Sequence, residues 1–361
     1  MEVYKNMRDL KLISSETKIK ARVMPFVTFP LTKKCNFRCQ YCGYGGELSA
    51  SMEESQEYEI LREKIYCAHR LGVRKFRLTG GEPFLYPHIE ELLELFNELG
   101  VYLLVNTNGS LVENYEELIS KLQDNIHFVV SLDTNKEDMF NEISGTKNMF
   151  EKVKHGINIL KETGRLYRLN MVVNKINKDE VFNIIDYCSE IGCNLKLLDV
   201  VSVPLPYNKR DNLHVSLIEL EKDLEQKSEM IKNHQYARAF GTPCNIYRYK
   251  GVDITVKSTW NGSHYDVKGI CHDCKYFPCH EGLYDIFALP DQRVVGCRWS
   301  EESVAKSNKL FAEGLEEMAT IFQRAIYVPR KENPAMIPKP DFVVNSLKKS
   351  GEKVPEIYII K

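Results

Sequence analysis

From about Val23 to Val203 the chain repeats one unit, a short apolar strand followed by a longer amphipathic helix. The strand segments are Phe26–Leu31, Lys75–Leu78, Tyr102–Asn106, His127–Leu132, Tyr167–Val173 and Asn194–Asp199. Between them the spacing of apolar residues predicts helices over Glu53–Leu71, His88–Leu99, Asn114–Leu122, Asn148–Thr163 and Lys178–Ile191. Crossovers of about 25–35 residues are too long for hairpins and call for parallel pairing. Six such units fall short of a closed eight-stranded barrel, so the expected fold is α/β, an open partial (β/α)6 TIM barrel. In that architecture the loops after the strands carry the chemistry.

The remainder divides by composition. Residues 1–23 form a charged N-terminal extension and 24–203 the barrel. In 204–240 Pro204 and Pro206 break the period, and Leu217–Asn233 reads as a charged helix, giving a helical linker. Residues 241–326 are rich in glycine, aromatics and cysteine and predict a small C-terminal α+β domain whose last part, 305–326, is helical. A proline- and lysine-rich tail, 327–361, follows. Lys+Arg number 49 against 50 Asp+Glu, which gives no general reason to expect nucleic acid or an anionic membrane as partner. No apolar run reaches a membrane span and the N-terminus is charged throughout, so the expectation is a cytoplasmic protein without membrane or nucleic-acid partners.

The 11 cysteines are clustered. Cys35, Cys39 and Cys42 follow the first strand at spacings that let one loop wrap three thiolates around a four-iron cluster. Three protein ligands leave one iron open to chelate the amino and carboxylate groups of S-adenosylmethionine, whose reductive cleavage gives a 5′-deoxyadenosyl radical. Zinc is the competing reading, but tetrahedral zinc takes four ligands and no fourth Cys or His lies nearby. Cys271, Cys274, Cys279 and Cys297 form a second group, the last placed beyond a hairpin predicted to turn at Pro290–Gln292. Cys67, Cys188 and Cys193 fall in helical patterns and read as core thiols. Cys244, beside Pro243, reads as a possible hydrogen donor or ligand, and Tyr44, Tyr265 and Tyr284 as possible relays.

The cysteine motif, Thr79-Gly-Gly-Glu-Pro83, Asn106-Thr-Asn-Gly109 and Val130-Ser-Leu-Asp133 occur in order on successive units. Together with Arg74–Pro83 and Leu169–Val173 they resemble the radical SAM superfamily, and within it the GTP 3′,8-cyclase family, over roughly residues 24–203. The resemblance implies that Gly80, Gly81, Glu82, Thr107, Asn108, Ser131 and Asn170 line the S-adenosylmethionine site, with Tyr41 against the adenine. It also implies that the C-terminal group resembles the auxiliary-cluster domain of those cyclases, or the "twitch" half of a SPASM domain, and binds a second [4Fe–4S] cluster. With Cys279 as fourth ligand that cluster is closed. Without it one iron is open to substrate, and four thiols also suit structural zinc.

Departures from the cyclases point away from GTP. Thr28, Asp285 and Phe287 stand where that family has triphosphate-gripping arginines, while Lys75, Arg168 and Lys196 keep basic positions and would hold one carboxylate or monophosphate. The expected function is therefore hydrogen abstraction from a small anionic or nucleotide-like metabolite, with an electron donor such as flavodoxin or ferredoxin. The alternative is a peptide maturase that cross-links or epimerises a ribosomal precursor. A divergent GTP cyclase and a non-catalytic metal-binding protein rank below these.

Overall fold

The computed structural model describes residues 24–42, 55–200, 213–233, 240–258, 261–274, 277, 279, 282–290, 293–297 and 310–328. Tyr44, His280, Gln292, Arg298, the N-terminal extension and nearly all of the tail lie outside them.

Six strands run in the order expected: β1 (Val27–Pro30), β2 (Lys75–Thr79), β3 (Tyr102–Thr107), β4 (Ile126–Ser131), β5 (Leu166–Val173) and β6 (Asn194–Asp199). Each is parallel to its neighbour. Their crossovers contain α1 (Tyr58–Arg70), α2 (Ile89–Leu99), α3 (Glu116–Lys121), α4 (Glu137–Ser144), α5 (Phe150–Glu162) and α6 (Val181–Ile191). The helix α4 has no counterpart in the sequence reading, because its eight residues are too short for the periodicity to stand out. The linker also differs. Among its described residues only Ile218–Lys227 is helical (α7), and Glu229–Asn233 forms a strand, β7, because it has an antiparallel partner in β8 (Asn245–Tyr249).

The barrel wall is wider than its six repeats. Strand β9 (Val252–Lys257) adds in parallel to β6, and β11 (Ile286–Ala288) adds in parallel to β1. Among the described residues the sheet has 11 strands in the order β12-β11-β1-β2-β3-β4-β5-β6-β9-β8-β7, where β12 (Val294–Val295) is the antiparallel return of β11. The short β10 (Ser263–Tyr265) pairs with β13 (Ile326–Val328), which follows α8 (Phe311–Arg324).

Alternation sorts the strand residues by face. Val27 and Phe29, Phe76 and Leu78, Leu103 and Val105, Phe128 and Val130, Leu195 and Leu197 all join the buried core beneath the helices. Their neighbours Thr28, Arg77, Leu104, Val129, Arg168, Asn170 and Lys196 occupy the concave face. Electrostatic influence of Arg77 on both Arg168 and Lys196 crosses from β2 to β5 and β6, which requires the wall to curl around a shared lumen. The two margins of that wall approach each other where Lys257 Nζ stands 5.2 Å from the Tyr284 ring. At the N-terminal ends of the strands Phe26, Tyr102, His127 and Tyr167 form a chain of ring contacts, 6.0, 5.4 and 5.7 Å between centroids. Among the described residues, no helix is long and apolar enough to cross a membrane.

Candidate active site

The loop bearing Cys35, Cys39 and Cys42 is clamped by backbone on both sides. On one side the β1–β2 ladder continues past the strands: Leu31 N donates to Thr79 O (2.8 Å), Gly81 N to Thr32 O (2.7 Å) and Glu82 N to Lys34 O (2.8 Å). This contact explains the paired glycines. A Cβ on Gly80, whose φ is +132°, would meet Thr32 O at 2.6 Å, and one on Gly81 would meet Lys34 O at 2.1 Å. Their close approach is thus to the cysteine loop itself. On the other side Arg38 N and Gln40 N donate to Ser144 O (2.8 Å) and Ile143 O (3.0 Å), carbonyls that the end of α4 leaves without helical partners.

Glu82 ties this loop to the end of β3. It is 1% exposed. Its Oε1 accepts from Thr107 Oγ1 (2.7 Å) and Phe84 N (3.1 Å), and Oε2 accepts from Asn108 N (2.7 Å). Burial outweighs these donors and raises the carboxyl to about 7. The Asn108 amide donates to Asn36 Oδ1 (2.8 Å), its oxygen accepts from Ser110 Oγ (2.7 Å), and Asn36 Nδ2 donates back to Ser110 Oγ (2.9 Å). Tyr41 reaches across to donate to Asp133 Oδ2 (2.6 Å), while Asp133 Oδ1 accepts from Val172 N (2.8 Å). Burial raises Asp133 to about 6, and burial with the neighbouring carboxylate pushes Tyr41 well up. Ser131 is exposed at the end of β4, in register with Asn170, whose Oδ1 accepts from Arg168 Nε (3.0 Å). Motifs 50 to 140 residues apart thus converge on one end of the wall.

The donor set suits a multinuclear group. Cys35, Cys39 and Cys42 feel one another's charge, and burial raises both Cys35 and Cys39. As thiolates the three would repel one another, a repulsion that a bound cation relieves. Among the described residues no three His, Cys, Asp or Glu side chains are grouped closely enough to hold a metal ion. In the second group Cys271 is buried and feels Cys279 and Cys297, which with its burial raises it. Its loop is pinned by Asp266, which accepts from Ile270 N (3.1 Å) and from Arg324 of α8 at 2.9 and 2.7 Å. Gly282 N donates to Cys279 Sγ (3.3 Å) and Tyr265 donates to Cys279 O. The β11–β12 hairpin that carries Cys297 forms as expected. Cys67 and Cys188 are fully buried core thiols.

Below the cysteine loop the lumen is cationic. Arg168 and Lys196 lie together, and Arg77 and Lys257 act on Lys196 as well. The exposed Lys75, one strand alternation before Arg77, is not part of that group. Burial first, then Arg168, lowers Lys196 to about 7. Arg77 is neutralised: its guanidinium pairs with Asp285 Oδ2, which also accepts from Thr28 Oγ1 (2.8 Å), and it lies 4.6 Å from the Phe26 ring. Arg77, Lys257, Asp133 and Asn36 escaped the sequence reading. For Arg77 a signal existed, since it shares a strand face with Lys75; for Lys257 none did, because β9 was not assigned to the barrel.

Comparison with known proteins agrees with this geometry. Residues 29–188 match the family model of the radical SAM superfamily. A probable GTP 3′,8-cyclase of Archaeoglobus fulgidus is 30% identical over 270 residues, 72% of this chain and 86% of that protein. One from Methanocella arvoryzae is 28% identical over 274 residues, 73% and 85% of the two chains. Among solved structures, Streptococcus suis SuiB bound to S-adenosylmethionine superposes with a TM-score of 0.54 at 17% identity, over 76% of this chain and 60% of that one. The enzyme anSMEcpe, with bound AdoMet and the Kp18Cys peptide, gives 0.54 at 16% identity over 82% of each chain. By its motif order, its fold and its similarity to the cyclases, the chain belongs to the radical SAM superfamily, as a relative of the GTP 3′,8-cyclases.

Proposed function

We propose that this radical SAM enzyme acts on a small metabolite bearing one anionic group, and not on GTP. Cys35, Cys39 and Cys42 would hold the [4Fe–4S] cluster, and Gly80 and Gly81 keep that loop in place. When bound, the cluster and S-adenosylmethionine supply a 5′-deoxyadenosyl radical for hydrogen abstraction. Glu82 Oε2 accepts a single bond among the described residues and retains a lone pair for the methionine ammonium. Exposed Ser131 and the Asn170 amide offer polar contacts to carboxylate or ribose, and Tyr41, held by Asp133, offers its ring to the adenine. Cys271, Cys274, Cys279 and Cys297 would hold a second cluster, and the reducing electron would come from a flavodoxin- or ferredoxin-type donor.

One observation carries the choice of substrate. Arg168, Lys196 and Lys257 gather on the β5–β6–β9 side of the lumen, and Asp285, an anion on the wall opposite, is committed to Arg77. That side is poised for one carboxylate or phosphate. A triphosphate would need further cations, each charge-assisted contact being worth about 1.5–3 kcal/mol, and it would face Asp285. A peptide substrate is the second reading, favoured by the shared fold of SuiB and anSMEcpe.

The test uses anaerobically reconstituted, reduced protein with S-adenosylmethionine. Fractionated deuterated cell extract should transfer deuterium into 5′-deoxyadenosine from a small-anion fraction, while GTP should neither bind tightly nor raise 5′-deoxyadenosine output. Micromolar GTP binding with a 3′,8-cyclised product would overturn the reading. Deuterium traced to a peptide would establish the second. Replacing Cys35, Cys39 and Cys42 together with alanine should remove about four of about eight irons.

A further inference from the structure

Lys196 is a lysine in an unusual setting. It stands mid-strand on β6, in register with Asn170 on one side and Thr255 on the other. Its neighbours Leu195 and Leu197 face the helices, so its own side chain lies on the lumen face. Among the described residues it makes no hydrogen bond or ion pair. The groups that act on it most strongly are Arg168 from β5, the Cys244 thiol from the segment before β8, Lys257 from β9 and Arg77 from β2. No carboxylate is among these four.

We propose that Lys196 is a nucleophilic amine that captures a carbonyl, forming an imine with an oxo acid whose anionic group Arg168 holds. The two side chains divide the work by their chemistry. An arginine stays charged in almost any protein setting and binds carboxylate or phosphate through its planar fork. A lysine hemmed in by other cations and only partly in contact with water gives up its proton more readily, and the free amine is then the nucleophile. Burial and Arg168 bring Lys196 to about 7, so near neutral pH a large share carries a lone pair. As a plain anion grip that share would be wasted; as a nucleophile it is what the reaction needs.

The step balances without any redox partner. The nitrogen lone pair forms a bond to the carbonyl carbon, and the displaced π pair takes a proton to become a hydroxyl. That hydroxyl leaves as water with the remaining nitrogen proton, giving C=N. The substrate is thereby fixed covalently in the lumen, with its adjacent C–H bonds held in one orientation.

This inference rests on the lumen being the substrate site, but not on radical chemistry, so its test uses neither S-adenosylmethionine nor an electron donor for the cluster, only a hydride reagent that traps the imine. Full-length reconstituted protein is incubated with pyruvate and cyanoborohydride at neutral pH and followed by intact mass and peptide mapping. Wild type should take up a single reduced adduct on the peptide containing Lys196, and labelling there should fall below pH 6 as the amine protonates. Lys196→Arg should lose that adduct while keeping its iron and cluster spectrum, which shows that it has folded. Arg168→Gln should raise the pyruvate concentration required by about tenfold or more. No preferential adduct in wild type, or equal labelling of Lys196→Arg, overturns the proposal. If deuterium transfer from a small anion is found but no adduct forms, the amine proposal fails and the substrate reading stands. An adduct with no anion-dependent deuterium transfer gives the reverse.

Discussion

Replacing Asp285 with asparagine should convert a neutral corner of the lumen into a cationic one. In the native chain the Asp285 carboxylate is 4% exposed and serves both Arg77, 18% exposed, and the Thr28 hydroxyl. Asparagine keeps the shape and an acceptor for Thr28 but strands the Arg77 charge. Removing one partner of a buried ion pair typically costs about 3–5 kcal/mol. Because Arg77 retains some contact with water and with the Phe26 ring, the lower end, about 3 kcal/mol, is expected here. Denaturant unfolding of the reconstituted protein should show that loss, and Arg77→Met added to Asp285→Asn should recover most of it. The stranded cation should also welcome a polyanion. Pyrophosphate at 100 times its dissociation constant stabilises by about 2.7 kcal/mol through linkage, and this gain should appear in Asp285→Asn and be much smaller in wild type. If the single variant is as stable as wild type, or the double variant is no better than the single, Asp285 is not the counter-ion described above.

Two further outcomes follow from the geometry. Gly81→Ala drives a Cβ into Lys34 O, so iron retention after reconstitution should collapse, whereas Gly72→Ala, which meets nothing within 4 Å, should cost only about 1 kcal/mol of left-handed strain and keep its iron. Lys196→Met should alter the pH dependence of stability. With its folded value near 7 and its unfolded value near 10.5, native Lys196 binds fewer protons than the unfolded chain between those limits, so its penalty is full below pH 7 and fades as pH rises toward 10.5. Methionine should therefore stabilise by about 2–4 kcal/mol at pH 6 and by little at pH 10, as urea unfolding at both pH values would show. Equal effects at both would place Lys196 in ordinary solvent contact.

The repeat strands were legible because each combines a local apolar run with a motif at its end, and β6 was read to the residue. The site motifs were legible for the same reason: Thr79-Gly-Gly-Glu-Pro83 and Asn106-Thr-Asn-Gly109 are contiguous. What escaped depends on partners distant in the chain. Glu229–Asn233 has a helical composition and becomes a strand only because β8 pairs with it. Asp133 reads as the last residue of a serine motif until Tyr41, 92 positions earlier, is seen to donate to it. The contact of Gly80 and Gly81 with the cysteine loop was not legible either, because it joins residues nearly 50 positions apart.

The widening of the barrel wall by β9 and β11 has a consequence for biogenesis. Thr28 and Asp285 are 257 positions apart, so the wall joins the first of the described strands to one of the last. Domains fold as their residues leave the ribosome, and contacts of such long range form slowly and late. The six-stranded wall with its cysteine loop can assemble while the chain is still emerging, but Asp285 and Lys257 arrive only after most of it has been made. During that interval the lumen is open along one flank and carries Arg77 without its counter-ion. The cysteine loop, by contrast, is complete once α4 has been made, so the loop proposed to hold the cluster matures before the lumen proposed to select the substrate.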